Sequence, residues 1–148
     1  MDEKTPPRRA AMAAIATGLT AGALAATARA AEPAKRDRVV MQVSQADKAR
    51  WELALNNAEN LQEALGAKNV DIEIVAYGPG IKMLEMQSSS GNRIADAVKR
   101  GVKFEACETT MRKLKLTKAD MLDDIGYVPG GVVELMRRQQ EGWAYIKP

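Results

Sequence analysis

Histidine is absent from the 148 residues, and there is a single cysteine, Cys107. Within one chain these absences exclude histidine-based metal sites, Ser-His-Asp triads and Cys-His dyads. They also exclude an intrachain disulfide. No metal and no cofactor is expected. Asp123-Asp124 reads as a solvated helix end rather than an acid/base pair. There is no internal repeat, and no second apolar run of membrane length follows the N-terminal one.

That N-terminal run has a recognisable order. Lys4, Arg8 and Arg9 precede an uncharged stretch from Ala10 to Ala28, and Ala28-Arg29-Ala30 supplies a small-x-small cleavage site. These are the three parts of a secretory signal peptide. We read residues 1–30 as that signal, 31–37 as a short charged leader and 38–148 as one α/β domain working in the periplasm. The stretch is mostly Ala, Gly and Thr and gains little from hydrocarbon, so a retained anchor is the lesser alternative. Arg8-Arg9 begins a twin-arginine pattern, but Pro7 before it and Ala10-Ala11-Met12 after it depart from that pattern. Both export routes stay open.

Removing the signal changes the charge. It holds four of the 22 basic and two of the 19 acidic residues, which leaves 18 and 17, a net of +1 in place of +3. The alkaline precursor is therefore no argument for nucleic acid. Arg112, Lys113, Lys115 and Lys118 read as a solvated helix face.

Hydropathy then alternates between two periods. Strands are predicted at Arg38–Val43, Val70–Tyr77, Val102–Ala106, Ile125–Val128 and Trp143–Ile146. Asp47 caps a helix over Lys48–Leu65 whose residues Trp51, Ala54, Leu55, Ala58, Leu61 and Leu65 share one face. Trp51 reads as core or subunit contact. Shorter helices are predicted at Ile81–Met86, after an Asn92 cap, at Glu108–Leu114 and at Val132–Glu141, with a capping box from Thr117 to Asp120. Strands alternating with helices imply right-handed crossovers and a mainly parallel sheet of about five strands.

In such sheets ligands gather beyond the carboxyl ends of the strands. Gly78-Pro79-Gly80, Cys107 and Pro129-Gly130-Gly131 each follow a predicted strand, so all three should share one rim. Gly78, Gly80, Gly130 and Gly131 are the rim candidates, although without a full phosphate-loop pattern an ordinary strand exit is the favoured reading of Gly78-Pro79-Gly80. Two readings of Cys107 stand. At a strand end before a helix it faces unpaired N–H groups that favour thiolate. Alternatively Cys107, Met111 and Leu114 form a stripe at helical spacing, and the thiol is packed in the core.

Four segments together carry a resemblance. They are Val75-Ala76-Tyr77-Gly78-Pro79-Gly80-Ile81, Phe104 to Met111, Val128 to Leu135, and Glu141 to Pro148. In this order they resemble the DsrE/DsrF-like family over essentially all of residues 38–148, and most closely its exported branch. The resemblance implies a flavodoxin-like layered fold with helices on both faces, and a homo-oligomer, trimer or hexamer. It further implies a sulfur-carrier role in sulfur metabolism, with Cys107 as the persulfide-forming thiol served by donor and acceptor proteins. The alternative is a non-catalytic ligand-binding or assembly protein in which Cys107 is structural.

Overall fold

Runs rich in Val and Ile become strands here because both sheet faces are to be buried, and polar breaks set their ends. The computed structural model describes residues 36–148, so the expected signal peptide and residues 31–35 of the expected leader lie outside the described residues. Five strands, β1 (Asp37–Val43), β2 (Val70–Ala76), β3 (Lys103–Cys107), β4 (Gly126–Val128) and β5 (Ala144–Ile146), alternate with α1 (Lys48–Leu65), α2 (Gly91–Lys99), α3 (Glu108–Leu114) and α4 (Gly131–Gln140). Single 3-10 segments occupy Gly78–Leu84 and Lys118–Asp120. Among the described residues no helix is long and apolar enough to cross a membrane.

The expected boundaries hold to within a few residues, with three informative differences. The turn at Gly78-Pro79-Gly80 does not precede a helix but opens one, because Pro79 fits the first helical turn. The second helix begins at Gly91 after Ser90, so Asn92 lies inside it and does not cap it. Cys107 is the last residue of β3 and pairs with Val128, rather than following the strand. Asp47 does cap α1, accepting from the Ala49 N–H at 2.9 Å. The box joining Thr117 and Asp120 forms as well.

All the strands run parallel in the order β4-β3-β2-β1-β5. The first three crossovers step one strand at a time in one direction. The last returns across the sheet in the other. Because crossovers are right-handed, α1, α2 and α3 cover one face and α4 covers the opposite one. Core packing agrees: Val39, Met41, Ile72, Ile74 and Phe104 pack with Trp51, Ile94 and Met111. On the other face Leu135 of α4 meets Val40, Val75 and Val128.

That second face also contains a charge. Glu73, in the middle of β2, is wholly buried. Its Oε2 lies 2.7 Å from Nη2 of Arg138 on α4, as an ion pair off the line of a hydrogen bond. Arg138 also meets Glu134 at 2.9 Å and Glu141 at 3.2 Å, and its guanidinium lies 4.7 Å from the centre of the Trp143 ring. Burial raises the Glu73 pKa more than Arg138 lowers it. The pair therefore locates α4 on the sheet more than it adds net stability. Removing one partner strands a buried charge, at a cost of about 3 kcal/mol or more. Arg138→Leu should lose that amount in urea unfolding, while Glu73→Leu combined with Arg138→Leu should recover most of it.

Candidate functional site

The loops after β3 and β4 leave towards opposite faces, since α3 and α4 lie on opposite sides of the sheet. Adjacent strands whose connections diverge in this way open a crevice at their carboxyl ends. A cavity of about 710 Å³ lies there. Its walls include Tyr77, Gly78, Pro79, Lys82, Cys107, Thr109, Thr110, Lys113, Leu114, Gly130, Gly131, Val132 and Val133. The three segments expected on one rim thus meet around one hollow. A neighbouring hollow of about 610 Å³, on the α4–β5 side and sharing Tyr77 and Val132, has no ionised group or thiol in its lining.

Cys107 is buried, at 5% exposure, and yet belongs to neither apolar cluster. The stripe suggested by spacing is split. Met111 enters the main core, whereas Leu114 is half exposed at the cavity wall. The Gly131 N–H, at the start of α4, donates to Cys107 Sγ at 3.2 Å. The Thr110 hydroxyl accepts from the Gly78 N–H at 3.0 Å, which leaves its proton free for the sulfur. Burial pushes the Cys107 thiol up, but the Thr110 hydroxyl and the N–H groups of Gly131, Thr110 and Thr109 outweigh it and hold the thiol below its ordinary value. Hydrogen bonds stabilise the charged form, as they do for carboxylates.

The other groups at the rim have separable tasks. Thr109 Oγ1 donates to the Pro129 carbonyl at 2.7 Å and accepts from Arg112 Nη2 at 2.9 Å, so it ties the β3 exit to the β4 exit. A Cβ at Gly131 would stand 2.9 Å from Tyr77 Cβ. Only glycine lets α4 begin close enough to reach the sulfur. Gly78 has φ +53°, a left-handed conformation that side chains disfavour. Gly80 does not line the cavity. It is buried behind it, where a Cβ would come within 2.3 Å of the Val43 carbonyl oxygen, so its role is close packing on β1. Gly130 lines the cavity with ordinary space around it. Of the cations near Cys107 in sequence that could favour its thiolate, Lys113 lines the cavity, whereas Lys103 and Arg112 do not. Thr110 had as its clue its place in the segment that carries the family resemblance, and Lys82 only its proximity to the first glycine turn.

A layered α/β fold with a hydrogen-bonded thiol at its crevice defines the class of protein. The chain belongs to the DsrE/DsrF-like family, whose model matches residues 37–148. It is similar to a protein of unknown function, MTH1491, from Methanobacterium thermoautotrophicum. That structure shares 37% identity and a TM-score of 0.72, over 76% of this chain and 99% of the other. A conserved protein of unknown function, BT1422, from Bacteroides thetaiotaomicron shares the fold at 14% identity and a TM-score of 0.61, over 76% of this chain and 95% of that one. No protein of curated function matches.

The thiol makes a pH-dependent prediction. Its pKa is lower folded than unfolded, so its contribution to stability is present above the unfolded thiol value and lost as pH falls through the folded value. Alkylation of the native protein by iodoacetamide should therefore have its pH midpoint below that of a free cysteine. Thr110→Val should raise the midpoint, and an unshifted midpoint would show that the hydroxyl does not hold the thiolate.

Proposed function

We propose that the protein is a sulfur carrier in which Cys107 forms a persulfide. The supporting observation is the sulfur's setting on a cavity wall, with the Gly131 N–H 3.2 Å away and the thiol held below its ordinary pKa. The Cys107 thiolate attacks the outer sulfur of a donor persulfide. A new S–S bond forms, the donor's S–S bond breaks, and the donor leaves as a thiol after taking up a proton. An acceptor thiolate reverses the exchange. The same N–H and hydroxyl donors that favour thiolate suit a persulfide anion. A lone cysteine suits carriage better than disulfide exchange, which needs a resolving thiol. Membership of a family connected with sulfur relay points the same way. On this reading residues 1–30 export the protein to the periplasm, where it works as a homo-oligomer between donor and acceptor proteins.

A second reading has its own support. Cys107 is largely shielded, while Val132, Val133 and Met136 on α4 and Leu114 on α3 are 46–62% exposed. This apolar strip suits a binding or assembly surface in which the thiol is structural. Mass spectrometry after incubation with a small persulfide donor separates the two readings. The carrier reading expects one added sulfur on Cys107 and none on a Cys107→Ser variant. An unmodified thiol that resists alkylation until denaturant is added would favour assembly.

A further inference from the structure

We infer that the cavity beside Cys107 accepts an inorganic polysulfide chain, so that the thiol carries several sulfur atoms rather than one; this rests on the carrier reading above. Volume is the first argument. A single added sulfur is only modestly larger than a water molecule, whose share of liquid volume is about 30 Å³. It would fill a small part of the roughly 710 Å³ that opens beside Sγ.

Wall chemistry is the second argument. Tyr77, Pro79, Leu114, Val132 and Val133 present mainly hydrocarbon. A catenated sulfur chain is soft and polarizable, has no N–H or O–H donor, and loses little in such surroundings. The sulfonate of thiosulfate would arrive with three oxygens to be satisfied. A peptide persulfide would bring amides and carboxylates. Each leaves polar groups short of partners against these walls.

Charge supplies the third. Lys82 and Lys113 are the ionisable lining residues besides the thiol and Tyr77, and no carboxylate is among the lining residues. The cavity therefore favours an anion with an apolar body, its charged end at the lysines.

The exchange balances without another reactant. With tetrasulfide dianion, Cys107 thiolate attacks an inner sulfur. The S–S bond at that atom breaks as the Cys107 bond forms. Two sulfurs stay on the protein as a terminally anionic chain. The electron pair leaves with a two-sulfur dianion, which takes a proton from water. The Cys107 sulfur is oxidised and the leaving sulfur reduced.

The test incubates the purified protein separately with sodium tetrasulfide, thiosulfate and glutathione persulfide, removes excess reagent, and reads the intact mass. Tetrasulfide should leave two or more sulfurs on the folded protein, and none on Cys107→Ser. The same chain treated in urea should keep one or none. In Lys82→Ala combined with Lys113→Ala, tetrasulfide loading relative to iodoacetamide alkylation should fall about tenfold, the low end of electrostatic focusing. A single sulfur from every reagent would overturn this inference and leave the carrier reading intact. No sulfur from any reagent would overturn both. An unchanged loading ratio in the double variant would remove the lysines' part in selecting the chain.

Discussion

The buried carboxylate of Glu73 depends on one guanidinium, and the second face of the protein depends on that contact. Burial alone would neutralise the acid or expel it from the sheet. Arg138 is brought over it by α4, the one helix on that face among the described residues, and is steadied by Glu134, Glu141 and the Trp143 ring. Ion pairs of this kind add little net stability, but they tolerate few alternative positions. Here the pair fixes where α4 lies over β2. The N-terminal end of α4 is also where the Gly131 N–H meets the sulfur. A contact that carries no chemistry thereby places the donor at the thiol.

The same chain reversal creates the site. Had the connection after β4 continued in the direction of the first three, α4 would have joined the other helices on one face, and no crevice would open between the β3 and β4 exits. The reversal leaves three loop segments facing one another, joined by Thr109 and Thr110. Two side chains of adjacent residues thus cross-link three strand exits. The thiol between them is shielded, hydrogen-bonded and next to space, which is a different condition from a cysteine packed in a core.

Much of the fold was readable from periodicity. The Asp47 cap, the Thr117 box, the parallel arrangement and the α1 face as far as Leu61 follow from local rules, but at the end of α1 Gln62 is buried, donating to the Arg100 carbonyl, and Leu65 is exposed. The shared rim was readable too, since topology alone carries strand exits to one edge. Some features were not readable. Glu73 sits in an alternating segment where acid normally faces water, and nothing local predicts that Arg138 will meet it from a helix 65 positions later. Gly80 and Gly131 look alike as turn glycines, yet one packs on the Val43 backbone and the other clears Tyr77 for a hydrogen bond to sulfur.

By itself, then, the sequence determined the class of fold, the order of its elements, and the identity of the one residue capable of thiol chemistry. Those depend on composition and on spacings of two to four residues, which short-range sterics and hydrophobic burial translate directly into helices and strands. Tertiary structure decided whether Cys107 belonged to a core stripe or to a cavity wall, and which groups surround it. Spacing placed Cys107, Met111 and Leu114 on one side, but the packing of α3 sends only Met111 into the core. The donors to the sulfur come from Thr109 and Thr110 nearby and from Gly131, 24 residues away. That last contact exists because a helix crosses to the opposite face of the sheet, and no local rule encodes such a distance.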